Sequence, residues 1–244
     1  FAAYHSTGIV GTSTNFATLT YPFVSFGTVG VGVAFTGVNG IPITDTDNNS
    51  YGDRTYSYQE YYFSYGKKLP WFGLAVGSTF KIIHETSVNQ QGPSVFPVSG
   101  TTSTFDLGLM YRPDFETAAL RNLSVGLNIQ NITAPKMKLI DSQDSIPYNI
   151  KLGLAKEFYF GGEQLRKLTI AADVNKGQVS KMTYSFGAEF MYNRYLNFRV
   201  GMNNGQPAIG IGTEFKQFQR FQVDYAFSTG NAFGTPMHRL SLTV

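Results

Sequence analysis

The sequence predicts an all-β chain folded as one closed antiparallel transmembrane β-barrel of about fourteen strands. Three observations predict the barrel. Apolar side chains alternate with small or polar ones at a period of two over most of residues 105–244, as in strands with one oily face. The second face is mostly glycine, alanine, serine, threonine and asparagine, in a chain only 14% charged against about 25% in ordinary soluble domains. No window approaches the roughly 18 consecutive apolar residues of a membrane-crossing helix, and a helix-like pattern is confined to 114–120.

Taken in order, two less regular segments come first, 1–5 and 15–21. Val29, Val31, Val33 and Phe35 then oppose Gly30, Gly32 and Ala34. The tyrosine-dense stretch 51–65 breaks phase near Gln59, where a bulge is expected. Leu74, Val76 and Phe80 oppose Ala75, Gly77 and Lys81, and Phe105, Leu107, Leu109 and Tyr111 oppose Asp106, Gly108 and Met110. Apolar rows recur at Leu123–Ile129, Ile150–Leu154, Leu168–Val174, Tyr184–Phe190, Leu196–Met202, Ile209–Phe215, Phe221–Phe227 and Leu240–Val244. The count is even, as closure of a bacterial outer-membrane barrel asks. In a soluble β-sandwich, the competing binding-module fold, the second face would meet water and carry many more charges.

Connection lengths give a second test, because such barrels alternate short periplasmic turns with longer outer loops. Long connections are expected at 38–53, 84–101, 131–146 and 228–236, and tight ones at 22–26, 66–70, 192–195 and 216–219. Both termini then face the periplasm. The connection 112–122 is longer than the rule wants and is given a short helix. Residues 1–244 read as a single barrel domain, a processed chain or a fragment without an amino-terminal plug or signal segment.

Absence of cysteine removes disulfide scaffolds and thiol chemistry. The net charge of +3 is spread thinly, so no basic stripe suits nucleic acid. His5, His84 and His238 stand in no Ser-His-acid or paired-histidine pattern, so no catalytic residue is assigned and no cofactor is expected. His84 reads as the start of a long loop, and His238 as a residue at the outer end of the last strand, facing the interface. Asp45, Asp47 and Asn49 place oxygens at alternate positions, a weak calcium pattern lacking the turn glycine and the closing glutamate. Inward parity collects Asp106, Lys151, Asp173, Glu189, Arg199, Glu214, Asp224 and Arg239 into a polar ladder, either paired for stability or forming a polar path. Trp71 with Lys67 and Lys68 reads as an interfacial anchor at a periplasmic turn.

The phrases TFDLGLMYRP, LSVGLNIQNITAP, IPYNIKLGLAKEF, LTIAADVN, SFGAEFMYN, FRVGMNNG and HRLSLTV resemble the PorV/PorQ family of outer-membrane barrels, similar in architecture to FadL transporters. The Asn-Pro-Ala phrase that usually precedes the first strand in that family is lacking here. The resemblance implies residence in the bacterial outer membrane and a non-enzymatic role as partner or scaffold in an envelope assembly of type IX secretion kind. A FadL-like carrier of hydrophobic small molecules is the alternative it implies. The partners expected are the lipid bilayer and other envelope proteins, with hydrophobic small molecules under the carrier reading.

Overall fold

Alternation becomes a wall when each strand finds a neighbour on both sides. In the computed structural model the described residues are 1–8, 11–70, 73–91, 94–113, 117, 120–138, 143–161, 166–193, 195–215, 221–229 and 236–244. The strands are β1 (Ala2–Thr7), β2 (Ser13–Phe23), β3 (Gly27–Thr44), β4 (Ser50–Lys68), β5 (Leu74–Gln91), β6 (Ser94–Tyr111), β7 (Leu123–Gln130), β8 (Lys136–Lys138), β9 (Gln143–Ser145), β10 (Asn149–Phe160), β11 (Arg166–Gly177), β12 (Thr183–Tyr192), β13 (Leu196–Asn203), β14 (Gln206–Phe215), β15 (Phe221–Ser228) and β16 (Met237–Thr243). All but β8 and β9 form one closed barrel in which each strand pairs antiparallel with its neighbours and β1 closes on β16. β8 and β9 make a separate two-stranded sheet within the β7–β10 connection.

Residues directly opposite in an antiparallel pair share a face, so register fixes which side chains look out. Val31, Phe63, Phe80 and Phe105 form one outward row across β3 to β6, and Phe198, Ile211, Tyr225 and Leu240 another across β13 to β16. The outward apolar side chains stay open, Val200 and Ile209 at 60% exposure, whereas among the described residues the only buried hydrophobic ones are Ile83 and Met137. A sandwich would turn those rows toward each other into a core. Here they need hydrocarbon outside, and the barrel leaves no sheet edge unpaired in it.

Strand length departs from expectation. A crossing takes roughly 9–11 residues, which β2 (11 residues) and β7 (8 residues) approximate, yet β3, β5 and β6 have 18 residues each and β4 has 19. The stretches 38–53 and 84–101, expected as loops, are therefore mostly paired strand, and His84 lies within β5. Outward residues turn polar past Tyr61 on β4, Ile82 on β5 and Phe105 on β6, as Gln59, His84 and Ser103 show. Beyond these points the ladder runs on in water. Contrast between faces vanishes there, so period two no longer marks a strand in the sequence.

The irregularity expected near Gln59 lies elsewhere. Gln59 stays in register with Phe35, and the shifts fall between Val38 and Ile41 and between Ile43 and Thr44. The tyrosine stretch breaks phase because aromatic residues occupy both faces, Tyr61 and Tyr65 outward, Tyr56, Tyr58 and Tyr62 inward. Short connections do occur at the end carrying the termini, at 24–26 and where the Tyr195 amide donates to the Tyr192 carbonyl, although 204–205 is equally tight at the other end and 112–122 is long. In that long connection Thr117 carbonyl accepts from the Leu120 and Arg121 amides. Residues 114–116 and 118–119 of the expected helix, Trp71, the turn 216–219 and most of 228–236 lie outside the described residues.

Candidate functional site

The inner wall is where small residues and charges meet. β14 shows why the glycines are there. A Cβ on Gly212 would overlap the Asp224 carboxylate and crowd the Arg199 guanidinium, so its absence lets groups from β13 and β15 meet across the intervening strand. Arg199 donates from Nη1 to Asp224 Oδ1 (2.5 Å) and from Nε to Glu189 Oε2 on β12 (2.6 Å). Gln222 adds its amide to Asp224 (2.8 Å). Three strands, β12, β13 and β15, are tied by one cation, whose planar fork suits two carboxylates at once.

A second knot lies under β5 and β6. Lys81, 4% exposed, pairs with Asp106 Oδ1 (2.9 Å) and donates to Asn131 Oδ1 (2.6 Å), while the Asn131 backbone amide donates to Asp106 (2.8 Å). A buried ammonium is tolerable only with such partners. Asn131 begins the β7–β10 connection, and the residues after it stay on the inner face. Thr133 donates to Thr104 (2.9 Å), and Met137 of β8 is buried against Gly100, where a Cβ would collide with it. Residues 131–138 of the outer loop expected at 131–146 thus lie inward over β6 rather than away from the barrel.

Of the remaining ladder residues, Lys151 and Asp173 line one cavity of about 490 Å³ with Gly153, whose missing Cβ leaves room for the Asp173 carboxylate. Arg239 lies over the Tyr4 ring, 5.1 Å from its centroid. Glu214 faces inward on β14, in register with Gln222. The ladder thus divides among the Arg199 network, the Asp106 knot and the inner-wall positions of Lys151, Asp173, Glu214 and Arg239.

At the terminus end, a cavity of about 820 Å³ is lined by Lys68, Arg112, Arg121, Glu157 and Tyr159. Glu157 accepts from Tyr159 (2.9 Å) and Lys167 (3.1 Å). Period two parts the expected anchor, with Lys68 on the cavity and Lys67 outward beside Val76. Asp45 closes the β3–β4 turn, its carboxylate accepting from the Asp47 amide (2.9 Å), the Asn49 amide (2.8 Å) and the Asn49 side chain (3.0 Å). Among the described residues no three acidic or histidine side chains gather as a metal site. The histidines all sit on the outward face. His5 shares a hydrogen bond with Asn15, His84 with Thr101 and Thr86, and His238 with Tyr225.

Sequence reasoning missed Lys81, Asn131 and the Glu157–Lys167 pair. Lys81 shows inward parity in the sequence, but its partner is visible only in register. On the water-exposed part of β4 and β5, Tyr56 hydrogen-bonds Glu85, and burial first, then that carboxylate, push its phenol up to about 12.

Compared with known proteins, residues 7–244 match the model of the family described as type IX secretion system membrane protein PorP/SprF. No curated protein matches the chain.

Proposed function

Because the chain belongs to the PorP/SprF family of type IX secretion system membrane proteins, an outer-membrane component of that system, we propose that it acts as a non-enzymatic partner subunit. In this role, of the kind implied by the PorV/PorQ resemblance, it holds another envelope protein at the outer membrane. The observation that carries the reading is the four-stranded extension. β3 to β6 continue past the apolar band as a hydrogen-bonded sheet, giving a partner an already paired surface at little entropic cost. The inner wall supports it further. A carrier of hydrophobic molecules would want an oily passage, whereas this lumen presents Lys81, Asp106, Lys151, Glu189, Arg199 and Asp224 and takes in the loop after β7.

The test shortens both hairpins at register, joining Gly37 to Ser57 and Thr86 to Ser99 through Asn-Gly turns. The shortened protein is expected to reach the outer membrane and keep heat-modifiable gel migration, yet to lose cross-linking to large envelope proteins and to stop secretion. Unimpaired secretion and cross-linking by an assembled, shortened barrel would overturn the proposal.

A further inference from the structure

The outward wall is not evenly covered. Between β16, β1, β2 and β3 lies a groove of about 590 Å³. Its floor is Ala3 and Ala17, which face each other in register across β1 and β2. Its sides are Val33 and Phe35 on β3 and Leu240 and Leu242 on β16, each between 39% and 55% exposed. Two adjacent alanines thus leave a trough between walls of large apolar side chains, on a surface whose solvent is the bilayer.

Polarity changes along this trough in one direction. Moving along β1 from the terminus end toward the β1–β2 turn, the outward residues run Ala3, His5, Thr7. Opposite them on β2 stand Ala17, Asn15 and Ser13. His5 Nδ1 and Asn15 Oδ1 share a hydrogen bond of 2.8 Å, and Thr7 pairs in register with His238, which shares one with Tyr225 (2.7 Å). The groove is therefore greasy toward the bilayer interior and ends on the His5 imidazole and the Asn15 amide, with Thr7, Ser13 and His238 just beyond it toward the outer surface.

We infer that this groove binds one acyl lipid of the outer leaflet. The chain lies over Ala3 and Ala17, and the oxygen-rich linkage region meets His5, Asn15, Thr7 and His238. The order of polarity fixes which leaflet the lipid comes from, since an inner-leaflet lipid would bring its headgroup to the opposite end. Shape fixes the occupant. The two walls stand on strands three spacings apart, roughly 14 Å between axes, wide enough for alkyl chain and too narrow to admit the convex wall of a second barrel. Water would find almost nothing to bond on the floor, so hydrocarbon fills it at least cost.

The experiment incubates the detergent-purified barrel with lipid A and reads retained adducts by native mass spectrometry. One adduct per barrel is expected to survive activation that strips loosely held lipid. Ala3→Phe and Ala17→Phe, which fill the trough with a side chain at home in lipid, should each lower the retained fraction at least tenfold. Ala188→Phe, outward on β12, should leave it unchanged. His5→Leu keeps the trough apolar and should weaken lipid A retention several-fold. Heat-modifiable migration checks that each variant is folded. An adduct unaffected by both filled-trough variants, equal loss in Ala188→Phe, or a two-chain mass in place of the lipid adduct would overturn the assignment.

Discussion

Arg199 on β13 reaches Asp224 on β15 across the whole width of β14, Nη1 to Oδ1 2.5 Å, over a glycine that leaves no side chain in the way. The glycine matters as much as the charges. Gly212→Val should push the two groups apart and destabilise the barrel by roughly 1–2 kcal/mol, below the roughly 3–5 kcal/mol of a fully buried broken pair because Arg199 is about a third exposed. Gly126→Ala, where a Cβ meets nothing closer than 3.9 Å, should be nearly neutral. Urea unfolding followed by tryptophan fluorescence in detergent micelles measures both, and equal loss in the two variants would refute the role given to Gly212.

The Lys81 knot makes a larger prediction. Asp106→Asn leaves a 4% exposed ammonium without its counterion and should cost about 3–5 kcal/mol. It should also loosen the Asn131 attachment and raise single-barrel conductance in planar bilayers, because the loop that begins there covers the inner face. Lys81→Met with Asp106→Leu removes both charges together and should recover most of the lost stability, since two apolar groups leave no unpaired ion.

Parity alone placed Asp106, Glu189, Arg199 and Asp224 on the inner face, because a period of two survives any uncertainty about neighbours. Pairing was not legible. It depends on register, and register is set by turn lengths and by closure around the whole barrel. Nothing in the alternation marks Gly212 off from other strand glycines, because Asp224 and Arg199 meet over it only through register. The β8–β9 hairpin was hidden for a different reason, since 131–148 follows no alternation in sequence and the inward seat of 131–138 depends on contacts visible only in register, Asn131 with Lys81 and Asp106, Thr133 with Thr104, and Met137 with Gly100. The extension of β3 to β6 was hidden because water, unlike lipid, imposes no oily face on a strand.

That fit at Gly100 can be tested directly. Gly100→Leu fills the space taken by Met137 and should lift the β8–β9 hairpin from β6. Lys136 and Lys138 flank the methionine, so limited trypsin digestion of the folded protein should cut there at least tenfold faster in the variant. An unchanged rate, with the barrel still heat-modifiable, would mean that the hairpin is not held by this contact.

Tyr56 gives a pH prediction with a definite sign. Burial and the Glu85 carboxylate favour the neutral phenol, raising its pKa from 10.0 to about 12, so the folded protein binds this proton more tightly than the unfolded chain. Its contribution to stability is whole below pH 10 and disappears as pH rises through about 12. In an alkaline titration followed at 295 nm, Tyr56→Phe should remove one late-ionising tyrosine, and Glu85→Gln should move that ionisation toward pH 10. No change in the late phase with either substitution would remove Tyr56 from it.

Asp45 distinguishes a turn from a metal loop. Its carboxylate already accepts from the Asp47 and Asn49 amides and from the Asn49 side chain, and Asn48 has a positive φ of 66°, which asparagine tolerates well. A cation at this loop would have to compete with those donors for the same oxygens. Asp45→Ala should therefore lower stability by about 1 kcal/mol through lost turn hydrogen bonds, with or without calcium, and Asn48→Gly should be neutral or slightly favourable because glycine adopts the same backbone without strain. Millimolar calcium should leave the unfolding midpoint of the unsubstituted protein where it is. A midpoint that rises with calcium in the unsubstituted protein and not in Asp45→Ala would instead make this turn a cation site.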